Sequence, residues 1–216
     1  MSKIVELYKK SFSNDPSFNE FYTLTEEAEK FLKPYKKYLE GKKVYCPCDS
    51  EDSAIVKYLK NNVDCEVFYQ YEKDFNSEEI RTEMLKCDVI VTNPPFKMKE
   101  LRPLVEFILE NNLDFILWGS TYNATFYFNF AHQYDFQRVN MHPYLNNKGE
   151  IKYAPSRLYS SFPVKHSFTI REEKRHPIDY MPWTQLFYYD KDEYEYVGRA
   201  KQRNPKDFAR FILRKK

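Results

Sequence analysis

A mostly parallel β-sheet with helices on both faces is the α/β architecture this sequence predicts, and three observations predict it. Short apolar runs alternate with stretches of helical periodicity between residues 43 and 118. Capping residues (Thr25, Asp49, Ser50, Ser77) stand at the expected helix starts. A length of 216 residues is enough to bury a substantial core.

Residues 4–12 read as a short amphipathic helix, closed by the punctuation Asn14-Asp15-Pro16-Ser17. A second helix is predicted over 26–39, with Thr25 as N-cap, Pro34 inside it and Gly41 just past its end. The alternation follows: strand 43–46, helix 51–60 capped by Ser50 or Asp49, strand 65–69, helix 77–86 capped by Ser77, strand 88–91, helix 99–111 and strand 113–118. Beyond about residue 120 the segments 126–130, 157–162 and 167–170 read as short antiparallel strands, completing the sheet or forming a small lobe over 120–182. The basic run 199–216, with the single acid Asp207, is read equally as a solvated helix end or as a phosphate-contacting tail.

Composition narrows the function classes. The 34 Lys and Arg against 32 Asp and Glu leave a net charge of +2, so affinity for nucleic acid must come from local clustering. The 19 Tyr and 18 Phe offer many faces on which bases can stack. No apolar run is long enough to cross a bilayer and no charged-then-apolar leader opens the chain, so a cytoplasmic protein without membrane contact is expected. Cys46, Cys48, Cys65 and Cys87 form no C-x-x-C pair, and the four His show no helical ligand spacing. Buried reduced thiols and no metal are expected.

The most informative segment is Asn93-Pro94-Pro95-Phe96, directly after the apolar run Asp88-Val89-Ile90-Val91-Thr92. Neither proline can donate a ladder hydrogen bond, and each holds its predecessor extended, so the strand stops in a rigid polar shelf. On it the Asn93 amide oxygen and the Pro94 carbonyl can accept from one planar amino group while Phe96 stacks on the attached ring. Methyl transfer to an exocyclic amine requires such acceptors, because they help the delocalised nitrogen become pyramidal. A Pro-Pro turn carrying a core Phe is the competing reading; the strand running into it favours the shelf.

In open parallel sheets ligands bind beyond the carboxyl ends of the strands, so Val44-Tyr45-Cys46-Pro47-Cys48-Asp49-Ser50, where the first core strand meets its helix, is the expected seat of a nucleoside cofactor. It has no glycine turn. Together with Glu20-Phe21-Tyr22-Thr23, Ser53, Lys57-Tyr58 and the Asp88 to Phe96 segment, and more weakly Thr125-Phe126 and Pro177-Ile178-Asp179-Tyr180, it resembles the EcoRI modification methylase family of adenine-specific DNA methyltransferases.

The resemblance implies a Rossmann-like methyltransferase fold with the gamma motif order, S-adenosylmethionine as cofactor and DNA as partner, in a prokaryotic, phage or mobile-element setting. By it Phe21, Tyr22 and Thr23 contact the methionine end of the cofactor, and Cys46, Pro47, Cys48, Asp49, Ser50 and Ser53 form its loop, Asp49 and the serines receiving the charged amino or carboxylate group. Asp74 and Phe75 resemble the acid-aromatic pair that holds the cofactor adenine, although a solvated acid beside a core Phe explains them equally. Tyr69, Gln70 and Glu72 remain open for the ribose. Asn93, Pro94, Pro95 and Phe96 clamp an adenine flipped out of the duplex. Lys97, Lys99, Asn123 and Arg157 are expected to meet the nucleic acid. The chain is shorter than that family's members after the shelf, so target recognition is expected to be minimal, relaxed or supplied by a homo-oligomer or a separate partner. An RNA or protein-glutamine methyltransferase, and a non-catalytic nucleic-acid-binding relative, are the rival readings.

Overall fold

The computed structural model describes residues 22–120, 123–127, 130–134, 141–146, 148–164, 180–182, 188–199 and 210–216. The expected helix 4–12, Phe21 and the segment 167–170 lie outside them. In chain order the elements are β1 (Tyr22–Thr23), α1 (Thr25–Leu32), a 3-10 turn (Lys33–Tyr35), α2 (Lys36–Leu39), β2 (Lys43–Cys46), α3 (Ala54–Asn62), β3 (Glu66–Tyr69), α4 (Glu78–Met84), β4 (Val89–Thr92), α5 (Met98–Glu110), β5 (Asp114–Ser120) and α6 (Ala124–Tyr127). Then come β6 (His132–Tyr134), β7 (Met141–Leu145), β8 (Ile151–Ser160), β9 (Tyr180–Pro182), β10 (Tyr188–Tyr189), β11 (Tyr194–Arg199) and β12 (Arg210–Lys215).

The main sheet runs β1-β7-β8-β5-β4-β2-β3, with β6 and β10 attached at β8. β3, β2, β4 and β5 pair parallel with one another. From β8 outward every pairing is antiparallel, so "mostly parallel" holds for the α/β half and not for the whole sheet. The antiparallel half comes from the aromatic-rich segments that the sequence left between sheet and lobe, and β6 to β8 complete the sheet. β9, β12 and β11 form a separate three-stranded sheet.

Helices cover both faces. Side chains alternate along each parallel strand, so Val44, Cys46, Val89, Val91, Ile116 and Trp118 pack under α1 and α3. Tyr45, Ile90, Phe115 and Leu117 pack under α4 and α5. A buried bond of 3.2 Å between Glu27 Oε2 and His142 Nδ1 ties α1 to β7. Burial works against the Glu27 charge, but bonds from His142 and Lys30 still hold its carboxyl below the usual range.

Several boundaries differ from the expected ones for local reasons. Leu24, not Thr25, is the N-cap of α1, without a side-chain bond, and Pro34 converts one turn to 3-10 geometry where its missing N–H would break the α ladder. Gly41 follows at φ 71°, the left-handed conformation expected past a helix end. The cap of α3 is Ser53, whose Oγ accepts from Val56 N at 3.1 Å, because Asp49 and Ser50 stay in the preceding loop. Ser77 caps α4 as expected. Residues 126 and 127, at the start of the expected strand 126–130, belong instead to the helix α6. Arg199 and residues 210–215 of the basic run are β-strand, not a helix end.

Gly119 shows how tightly the second face is packed. A Cβ there would lie 2.8 Å from Tyr159 Cε2. The Tyr159 ring cannot yield, being stacked on Tyr127 at 3.7 Å and anchored by its hydroxyl to Ser120 O at 2.8 Å. Gly119→Ala is expected to cost ~1–3 kcal/mol, the usual range for overpacking, seen as a lower midpoint in urea with an unchanged slope.

Candidate active site

The strand order reverses at β2: β3 lies on one side and β4 on the other. At such a switch point the loops leaving adjacent carboxyl ends diverge and open a crevice. Here those loops are Pro47 to Ser53 after β2 and Asn93 to Phe96 after β4, the two segments singled out in the sequence.

The antiparallel half supplies the opposite wall. Residues 156–160 of β8 pair with β5, while residues 151–155 run past the end of β5 and pair with β7, which pairs with β1. β1 and β7 thereby reach over the carboxyl edge. Thr23 Oγ1 accepts from Asn93 Nδ2 at 3.1 Å, and the Tyr144 ring stands edge-on to Phe96 with centroids 6.1 Å apart. Between edge and roof lies a cavity of about 830 Å³, the size of a nucleoside cofactor site.

Its walls contain Tyr22, Thr23, Pro47, Cys48, Asp49, Ser50, Ser53, Asp74, Phe75 and all four residues Asn93, Pro94, Pro95 and Phe96. Across the mouth the hydroxyls of Tyr22 and Tyr71 bond at 2.9 Å. Cys46 does not line the cavity: it is fully buried beneath α1 and α3, and burial pushes its thiol far up. Of the three ribose candidates only Glu72 lines the cavity. Gln70 donates to Pro47 O and Lys73 O, clasping the loop after β3 to the loop after β2, and the Tyr69 hydroxyl accepts from Lys60. Asp74 Oδ1 accepts from Asn76 N at 2.9 Å, while Phe75 packs toward the second core.

Asp49 is the electrostatic centre. It is buried, and desolvation raises its carboxyl to about 6, offset by hydrogen bonds from Thr92, Ser53 and the Asn93 backbone. The Thr92 hydroxyl donates to Oδ2 at 2.7 Å. The Ser53 hydroxyl is thus divided between Asp49 and the cap of α3, a supporting part beside its place in the wall. Thr92 escaped the sequence reading; its position between an apolar strand and Asn93 was the available signal.

The expected nucleic-acid contacts separate. Lys97 and Lys99 are exposed where α5 begins. Asn123 instead donates from Nδ2 to Phe96 O at 3.1 Å and so pins the shelf from behind. Arg157 is 1% exposed within β8, away from the surface where a nucleic-acid contact was expected. Among the described residues one group, His132, Asp190 and Asp192, has ligand-type atoms within 4.8 Å of one another. Asp190 Oδ1 already accepts from Asp192 N and Glu193 N, and Asp192 is paired with Lys191, an arrangement that builds the β10–β11 turn. No helix among the described residues is long and apolar enough to cross a membrane.

No family model matches the chain. Among curated proteins it is similar to the Type II methyltransferase M.MgeORF184P of Mycoplasma genitalium, at 24% identity over 130 residues, covering 47% of this chain. The match spans 40% of that relative's length. Among solved structures it is similar to the release factor-specific protein-(glutamine-N5) methyltransferase of Alicyclobacillus acidocaldarius, with a TM-score of 0.33 and 14% identity, covering 64% of this chain and 90% of that one.

Proposed function

We propose that this chain is an S-adenosylmethionine-dependent methyltransferase that acts on the exocyclic amino group of adenine in DNA. The observation that carries the reading is the meeting of two loops at the switch point: a shelf built to accept from an amino group stands beside a cavity whose floor is a buried carboxylate. The sequence resemblance to adenine methyltransferases and the partial similarity to a Type II methyltransferase support the same chemistry.

The residues present fit the cofactor. Asp49 is a buried acid whose desolvation its hydrogen bonds offset only in part, and a ligand ammonium is the partner that would favour its charge. Glu72 and Asp74 offer acceptors to hydroxyl and amino groups, and Phe75 offers a ring face. When bound, S-adenosylmethionine supplies an electrophilic methyl group on a sulfonium. The protein supplies position and acceptors. The Asn93 amide oxygen and the Pro94 carbonyl accept hydrogen bonds from the two amino hydrogens, Phe96 holds the ring that carries the amine, and transfer is in line with no covalent enzyme intermediate. An adenine within a duplex must first leave the stack, at ~2–4 kcal/mol. Lys97 and Lys99 are placed to meet backbone phosphate. We assign target recognition to residues 120–182, acting alone or with a partner chain.

The test is transfer of labelled methyl from S-adenosylmethionine to DNA, RNA and a glutamine-bearing peptide in parallel, with calorimetry of cofactor binding. Label on DNA adenine is the expected result. Label confined to RNA or peptide would replace the substrate, and the absence of both transfer and cofactor binding would leave a non-catalytic relative.

A further inference from the structure

We infer that Thr23 is a positioning residue that holds the Asn93 carboxamide in place on the shelf. This rests on the methyltransferase reading of the site. By the sequence resemblance Thr23 would belong to the methionine end of the cofactor; the geometry gives its hydroxyl to Asn93 instead.

The two ends of a carboxamide are nearly equal in size and opposite in chemistry. Turned one way, Asn93 presents an oxygen that accepts from an amine; turned the other way, it presents hydrogens to hydrogens and the shelf is inert. Shape does not discriminate between these states, so the hydrogen bonds around the amide must. Asn93 Nδ2 donates to Thr23 Oγ1 at 3.1 Å, which ties the carboxamide to the roof while its Oδ1 lies buried.

Thr23 is placed by its pairing with Tyr144 across β1 and β7. The Tyr144 ring stands against Phe96, and its hydroxyl bonds to Ser156 Oγ at 2.6 Å. Asn123, just before α6, fixes the Phe96 carbonyl. Both ends of the shelf are therefore referenced to elements outside the parallel core, Asn93 through Thr23 and Phe96 through Tyr144 and Asn123.

Thr23→Val keeps the shape and removes the acceptor; Thr23→Ser restores it. With the wild-type protein as reference, Thr23→Val is expected to lower kcat roughly ten- to hundredfold, the order lost when a catalytic group is misplaced. The dissociation constant for S-adenosylmethionine, read by calorimetry, should change less than about twofold, and Thr23→Ser should recover most of kcat. A second readout needs no turnover: the side-chain amide NMR signals of Asn93, identified by their loss in Asn93→Asp, should shift and exchange faster in Thr23→Val and return in Thr23→Ser. Unchanged Asn93 signals, an unchanged kcat, or a loss confined to cofactor affinity would each overturn the assignment. If the wild-type protein transferred no methyl group, the functional reading would fall while the NMR comparison still decided the Thr23–Asn93 contact.

Discussion

Asn93→Ala is expected to abolish methyl transfer while leaving affinity for S-adenosylmethionine within a few-fold of the wild-type value. The amide oxygen is engaged chiefly as the amine becomes pyramidal and its hydrogens grow acidic, so its removal raises the barrier far more than it weakens binding. Loss of one preorganised polar group in such a site lowers kcat by ~10²–10³. The backbone N–H of residue 93 still reaches Asp49 in the variant, and the two prolines still shape the loop, so the cofactor side of the cavity is preserved. Single-turnover transfer together with calorimetry checks both halves. Turnover close to the wild-type value would remove Asn93 from the chemistry.

Asp49→Asn is expected to stabilise the ligand-free protein at neutral pH and to cost it the cofactor. The Asp49 carboxyl rises from 3.8 to about 6 on folding. Because the folded value is the higher one, the neutral acid favours the folded state, and that contribution is lost as pH rises from about 4 through about 6. At roughly 1.4 kcal/mol per pH unit the ionised side chain costs ~3 kcal/mol at pH 7. The amide carries no such penalty and still accepts from Thr92. Urea denaturation of the two proteins at pH 4, 5, 6 and 7.5 should give curves that separate upward through this window. The difference between them isolates Asp49 from Glu27 and His132, which also titrate abnormally. With cofactor present the order should invert: the wild-type protein gains stability by binding, and the variant gains little. Equal stabilisation of both proteins by the cofactor would separate Asp49 from its binding.

What the sequence disclosed follows the range of the physics involved. Local signals carried the α/β half: β2 was expected at 43–46 and lies there, and Ser77 caps α4 as read. The shelf was legible because two consecutive prolines constrain the backbone whatever surrounds them. Its supports were not. Thr23, Asn123 and Tyr144 reach Asn93 and Phe96 from distant elements, and no spacing announces such contacts. The burial of Arg157 was hidden for the same reason: a lone arginine looks solvated until the pairing of β8 with β5 is known. The helix at residues 124–127 was missed because its aromatic sequence favours a strand, a preference that packing of Tyr127 against Tyr159 overrides.

The roof over the cavity has a consequence for how activity is acquired. Tyr22 pairs with Leu145, so one wall of the site is closed by segments that flank the whole parallel core in the chain. That core can assemble from neighbouring strand–helix units, whereas the two-residue strand β1 docks through contacts of long sequence separation and few hydrogen bonds. Elements of this kind open at a lower free energy than the body that carries them. On the proposed function, activity is therefore a more fragile property than foldedness, and mild denaturant or warming should silence the shelf while the sheet beneath it remains intact.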